Sequence, residues 1–434
     1  SLVFELLGGT FALSLIKVRN SDTLGLGDLI NTDKALSVIM AIFVSVAIAF
    51  FFGMLVQWLA RVIFTFNYTK KIKYSIALFG GVAATSIIYF MLIKGLKDSS
   101  FMTPENKQWI QDNTLLLIAS FFVFFTALMQ VLHWLKVNVF KVVVLMGTFA
   151  LALAFAGNDL VNFVGVPVAG YDSYMMARAS GDAAMTMGGL ATDASANILL
   201  LLAAGAIMIV TLWTSRRALS VSKTELSLSN QNEGEERYGS SVVSRGLVRA
   251  AMNVNAFYER IMPARLQRAV AARFEKLPEE EREGGSYDLI RATVNLTTAS
   301  ILISIATSLK LPLSTTYVCF MVSMGSSLAD RAWGRESAVY RITGVLTVVS
   351  GWFVTGFGAF TIAFLVGLTL MYGGNAAVLI VSALCGWMLV RSNRRKNKAA
   401  VAETQQPAAS RAKDTEGVIE ECIAEVCYTM GQVT

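Results

Sequence analysis

The chain has 434 residues, of which 55% are hydrophobic and only 15% charged, whereas a soluble domain carries about 25% charged residues. Six prolines exclude collagen-like and proline-rich classes, four cysteines without a CxxC pair exclude a disulfide scaffold or Cys-built zinc site, and the single histidine, His133, leaves no partner for a His-based metal site or a Ser/His/Asp triad. The +7 net charge does not form the one basic face a nucleic-acid partner needs; it stands at the ends of apolar runs, where it orients helices in a bilayer.

Residues 1–15 are apolar but short, and begin at Ser1 with no initiator Met and no signal-peptide n-region. They read as the remainder of a span, in a chain that is a portion of something longer. A spanning helix takes about 20 apolar residues. Runs at 36–66, 76–96, 115–135, 142–156, 198–213, 290–309, 342–371 and 376–390 reach or approach that length. The expectation is an all-α polytopic membrane protein with about 8–9 spans. The 36–66 and 342–371 runs exceed a perpendicular helix and should tilt or protrude.

Loop charges give an orientation. Lys70, Lys71 and Lys73 follow the first long run, and Arg391, Arg394, Arg395, Lys396 and Lys398 follow the last; both sites should be cytoplasmic. Alternation from the first puts 20–33, 97–113 and 167–197 outside, and 136–141 and 215–288 inside. Counting back from the last puts 372–374 outside and 330–341 inside. The two counts agree only if 290–330 begins and ends in the cytoplasm, as a hairpin turning around Pro312 would.

The chain divides into 1–96, a first membrane repeat lacking its start; 97–213, further membrane helices; 214–287, a cytoplasmic loop; 288–391, a hairpin and final helices; and 392–434, a cytoplasmic tail. Within the loop, 227–236 is linker-like. Residues 247–277 repeat apolar positions at helical spacing between arginines, as a surface-lying amphipathic helix or helix pair does. A weak internal repeat relates 1–15, 36–66 and 76–96 to 317–330, 342–371 and 376–390, with Gly8 matching Gly325 and Ala12 matching Ala329. The first polar loop of this pattern is external and the second cytoplasmic, the signature of an inverted repeat, which in transporters sets the substrate near the midplane.

Two motifs break the apolar pattern. The first is Ala156-Gly157-Asn158-Asp159-Leu160-Val161-Asn162. Polar groups at membrane depth are costly unless they face protein or water; Gly157 lets the backbone leave helical geometry, and an unwound stretch would offer carbonyls, with Asp159, to a cation. The second is Leu311-Pro312-Leu313-Ser314-Thr315-Thr316-Tyr317. Pro312 ends one helix and suits the start of the next, leaving Ser314, Thr315 and Thr316 at a helix N-terminus, an anion site needing no lysine or arginine. Alone, each motif is also an ordinary helix end. Asp172, Asp182 and Asp193 read as loop residues and His133 as interfacial, while Glu5 is an unpaired acid in an apolar run.

At these two motifs the chain resembles the inorganic phosphate transporter (PiT) family, which includes sulfate permeases. The family signature is a Gly-Ala-Asn-Asp-Val-Ala-Asn-like stretch and a Pro-x-Ser-Thr-Thr turn, each once per half. Ala156 to Asn162 is similar to the second copy of the former and Pro312 to Thr316 to the second copy of the latter; the first-half copies are absent. The order Ala-Gly rather than Gly-Ala, and Tyr317 where His is common, depart from the pattern. The resemblance implies a secondary active transporter taking up inorganic phosphate by Na⁺ or H⁺ symport, with no cofactor and no enzymatic chemistry. It implies that Asn158, Asp159, Ser314, Thr315 and Thr316 bind phosphate and that Asp159 and Asn162 serve the cation or support the segment. The charge pattern is that expected of a multi-pass protein of a cell inner membrane, bathed in lipid, with the central loop and C-terminus cytoplasmic, and a homodimer is common in the family it resembles. A sulfate permease and a non-transporting membrane scaffold or sensor are the alternatives.

Overall fold

A computed structural model describes residues 2–20, 25–66, 75–92, 103–181, 198–214, 228–229, 239–275, 288–308, 314–331 and 337–404. Among them every regular element is helical, as the composition requires of a backbone surrounded by lipid. In chain order these are α1 (Leu2–Arg19), α2 (Leu26–Leu29), α3 (Thr32–Phe64), α4 (Ser75–Phe90), α5 (Pro104–Asp112), α6 (Thr114–Trp134), α7 (Val139–Ser180) and α8 (Ile198–Thr214). They continue with α9 (Val242–Ile261), α10 (Ala264–Ala271), a 3₁₀ turn (Ala272–Phe274), α11 (Leu289–Ser308), α12 (Thr315–Ala329) and α13 (Ser337–Thr404).

The apolar runs become the helices. Four stretches are long and apolar enough to cross a membrane, Ala35–Phe64, Thr114–Trp134, Leu289–Ala306 and Ser337–Met388, with Ile76–Phe90, Val139–Leu153 and Ile198–Thr211 shorter but apolar. Their outward faces present Leu115, Leu199, Trp213 and Leu379 at 72–88% exposure. Apolar surface on that scale is at home in lipid and not in water. The chain is a helical membrane protein.

Local chemistry explains the boundaries. Asn138 Oδ1 accepts the backbone N–H groups of Phe140 at 3.0 Å and Lys141 at 3.4 Å, starting α7. Thr103 caps α5 through its hydroxyl and the Asn106 N–H, with Pro104 in the first turn. Inside α13, Gly374 takes φ +52°, ψ −142°, a backbone conformation that glycine alone adopts without strain. That break falls where the sequence puts the turn between its last two spans. In the central loop Pro263 separates α9 from α10, so the amphipathic segment is a helix pair.

Two compact units form: Ser1–Val3 with Asn31–Phe357, and Phe4–Ile30 with Gly358–Thr434. In the first, α12 lies on α3 so closely that a Cβ on Gly325 would stand 2.1 Å from the Phe50 carbonyl oxygen, and one on Gly53 would stand 2.5 Å from that of Val322. α11 packs against α3, α4, α7 and α12, and α4 against α6 and α7. In the second unit a Cβ on Gly8 of α1 would stand 2.2 Å from the Phe360 carbonyl oxygen of α13. Phe11 there meets the rings of Phe360 and Phe364 at 6.1 and 5.7 Å.

Two expectations are corrected. The backbone does not unwind at 156–162: α7 runs helical through it and through Pro167 to Ser180. Gly157 permits a break without compelling one, since it keeps its N–H, and its apolar neighbours sustain the ladder. Asp172, read as a loop residue, instead lies half-buried on α7, which continues to Ser180 and is ended by Gly181 at φ +65°.

Candidate functional site

Helices α11 and α12 form a hairpin. Asp288 precedes α11, Asp330 follows α12, and both carboxylates bind Arg61 near the end of α3. The two ends of 288–330 therefore meet at one place. At the far end of the hairpin, Pro312 lies outside the described residues, and Ser314 is the N-cap of α12. Its hydroxyl accepts the Tyr317 backbone N–H at 3.5 Å. Thr315 is 1% exposed and its Oγ1 has no hydrogen-bond partner in the protein, while Thr316 is exposed. The Tyr317 ring stacks on Trp352 with centroids 3.6 Å apart and planes 7° apart, and Phe320 meets Trp352 edge-on at 5.7 Å. The first turn of α12 is thus held by aromatic packing on α13, and it offers free backbone donors and a buried hydroxyl.

The side chains of Asn158, Asp159 and Asn162 lie outside the described residues, but the backbone that carries them is in α7. Its level follows from packing. Phe140, at the start of α7, meets Phe64 of α3 at 6.1 Å, three residues beyond the Arg61 that binds Asp288. Gly147 of α7 faces Leu296 of α11, whose Cβ would lie 3.0 Å from an added Cβ. Gly147 is eight residues from the start of α7 and Leu296 seven from the start of α11, so the two helices run side by side in the same direction. Equal rise carries residue 158 to about the level of residue 307, near the end of α11.

At the opposite end of the hairpin lies a charge cluster. Arg61 and Asp330 are fully buried. Arg61 Nε and Nη2 donate to Asp330 Oδ1 and Oδ2 at 2.6 and 2.7 Å, a bidentate pair. Its Nη1 and Nη2 also donate to Asp288 Oδ2 and Oδ1 at 2.7 and 3.1 Å, and Nη1 to the Thr65 carbonyl at 3.2 Å. Gln57 Nε2 donates to Asp330 Oδ1 at 2.9 Å. Arg291 Nη1 stands 3.9 Å from Asp330 Oδ2, and its Nη2 donates to the Ser229 carbonyl. Burial alone would raise the Asp288 carboxyl; the Arg61 charge and hydrogen bonds, helped by the Arg291 backbone N–H at 3.1 Å, outweigh it and hold that group below the ordinary value. Two arginines against two aspartates make the cluster neutral, which is how such charges survive burial.

Sequence reasoning missed this cluster. Its partners are up to 273 residues apart, and the available signal was a Gln and an Arg one helical turn apart in an otherwise apolar run. Around it the segment 239–275 is pinned to the bundle: Thr343 donates to Ser244 Oγ at 2.9 Å, and the Arg331 guanidinium lies 4.8 Å from the centre of the Phe274 ring. Of the remaining candidates, Glu5 is exposed, His133 and Asp172 are half-buried, and Asp182 and Asp193 lie outside the described residues. Comparison with family models, with curated proteins and with solved structures finds no match to the chain.

Proposed function

We propose that the protein is a secondary active transporter that takes up inorganic phosphate with Na⁺ or H⁺. The observation that carries this reading is the start of α12, where a capped helix N-terminus stands beside the buried, unpartnered Thr315 hydroxyl. A helix N-terminus attracts an anion by its dipole and its unpaired N–H groups. Ser314, Thr315 and Thr316 would hydrogen-bond phosphate oxygens, Asn158 and Asp159 would face the same ion, and Asn162 would support them. Asp159 favours phosphate over sulfate, since a carboxylate accepts a proton from HPO₄²⁻ or H₂PO₄⁻ and only repels SO₄²⁻.

An inverted repeat with 8–9 spans fits the packing. In one unit Gly8 of α1 abuts the Phe360 carbonyl on α13, and in the other Gly325 of α12 abuts the Phe50 carbonyl on α3. The two glycines match in the internal repeat, and each short helix lies on the long helix of the other half. Such reciprocal contacts support two equivalent, oppositely oriented halves. On this reading the protein resides in a cell inner membrane, with the charge cluster and central loop on the cytoplasmic side.

Binding of radiolabelled phosphate to the full-length protein in nanodiscs tests the site. Saturable binding, insensitive to excess sulfate and weakened about tenfold in Thr315→Ala by the loss of a hydrogen bond to a charged group, is the expected result. Asp159→Asn should admit sulfate as a competitor. Phosphate binding that is unchanged in both variants would remove the anion from this turn, and competition by sulfate in the unaltered protein would favour a sulfate permease.

A further inference from the structure

The helix pair α9 and α10 serves no part of the phosphate site, and its surface divides three ways. At the helical repeat, α9 sets Ser244 and Val248 on one side, Val243, Leu247 and Ala250 on a second, and Arg245, Arg249 and Arg260 on a third. Ser244 is buried and Val248 half-buried. Val243 and Leu247, by contrast, are 61% and 47% exposed, and Ala250 is exposed with them. The sequence continues that apolar row with Val254 and Ile261. The three arginines are exposed and form no ion pair among the described residues. In α10, Leu266 is likewise exposed beside exposed Arg265 and Arg268.

Both ends of the pair are fixed beside the ends of spans. Thr343, which donates to Ser244 Oγ, is the second residue of the apolar run 342–371, so α9 begins where α13 enters the bilayer. At the other end the 3₁₀ turn packs on α3. Its buried Phe274 meets the Arg331 guanidinium, next in the chain to the Asp330 that binds Arg61 near the end of α3. On α9 the protein contact at Ser244 thus stands between an apolar row on one flank and an arginine row on the other. A helix lying along the bilayer edge beside a protein has that arrangement, with acyl chains below, protein at its side and headgroups above.

Charge selects the kind of lipid. Segment 239–275 carries six arginines against two glutamates and no other charged residue, so the surface that fits it is anionic. Guanidinium groups pair with phosphate oxygens in two-point contacts. A nucleic acid would satisfy the arginines and leave the apolar row in water, and a second copy of the pair would bring like charge. We infer that α9 and α10 form a binding surface for anionic phospholipid of the surrounding bilayer. Val243, Leu247 and Ala250 enter the acyl boundary, and Arg245, Arg249 and Arg260 hold headgroup phosphates. The inference needs the membrane character of the chain and not the transport reading.

The test places a bimane dye on Leu247→Cys in full-length protein freed of its four native cysteines. The protein is held in nanodiscs of phosphatidylcholine, with or without phosphatidylglycerol, and the dye is quenched by lipid brominated in its acyl chains. The expected result is quenching that grows with the phosphatidylglycerol fraction and weakens at high salt. One arginine near an anionic surface contributes about fivefold in binding. Arg245→Gln with Arg249→Gln should therefore cost about twentyfold or more and abolish the growth. Melting in phosphatidylcholine alone shows whether the double variant folds, and Arg249→Gln by itself, at about fivefold, serves if it does not. No quenching in any lipid overturns the inference and leaves the face to a soluble acidic partner. Equal quenching with and without phosphatidylglycerol overturns the headgroup contact, as does growth that survives in the folded arginine variants. Dye shielding that appears only in discs holding two chains assigns the face to a second copy and overturns the lipid site.

Discussion

Arg61 spends its guanidinium on two carboxylates and a carbonyl, so removing one partner strands charge in a buried place. Asp330→Ala should destabilise the protein by about 3–5 kcal/mol, the usual cost of breaking a buried pair. Replacing Arg61, Asp288 and Asp330 together by apolar residues should recover much of that. Chemical unfolding in mild detergent measures both; a loss in Asp330→Ala below 1 kcal/mol would mean the pair is solvated. The Asp288 carboxyl is held below its ordinary value in the folded state, so its stabilisation is present above the unfolded value, about pH 4, and is lost as pH falls through the depressed one. Melting followed from pH 7 downward should show that loss, and Asp288→Asn should flatten it. None of this was legible in the sequence, because an ion pair between distant residues leaves no local pattern.

Helix identity was legible, because apolar runs bounded by charges and caps force it. The break at Gly374 and the helix start at Ser314 were equally so, each written in a residue whose backbone or hydroxyl acts locally. The continuity of α7 was not: Gly157 and Pro167 each weaken a helix, and the packing of α7 against α4 and α11 overrides the local preference. Close helix packing gives the prediction at this scale. Gly325→Ala drives a Cβ to 2.1 Å from the Phe50 carbonyl, so α12 must move off α3, at a cost of about 1–3 kcal/mol. Gly351→Ala, with nothing within 4 Å of its new Cβ, should be neutral or stabilise by up to about 1 kcal/mol. Equal melting temperatures for the two variants would contradict the packing.

For the whole molecule, the hairpin sets the topology. With α11 and α12 returning to one end, Ser240 and Arg331 belong on the same side of the membrane. Ser240→Cys and Arg331→Cys, in a background freed of the four native cysteines, should both react with an impermeant maleimide from the cytoplasmic face only; labelling from opposite faces would mean that α11 and α12 do not form a hairpin. Transport is the central claim, and uptake tests it most directly. Proteoliposomes holding the full-length protein should accumulate radiolabelled phosphate under an inward Na⁺ or proton gradient, ignore excess sulfate, and lose uptake in Thr315→Ala. If folded protein takes up no phosphate under either gradient, the account is wrong and the chain is a membrane scaffold or sensor.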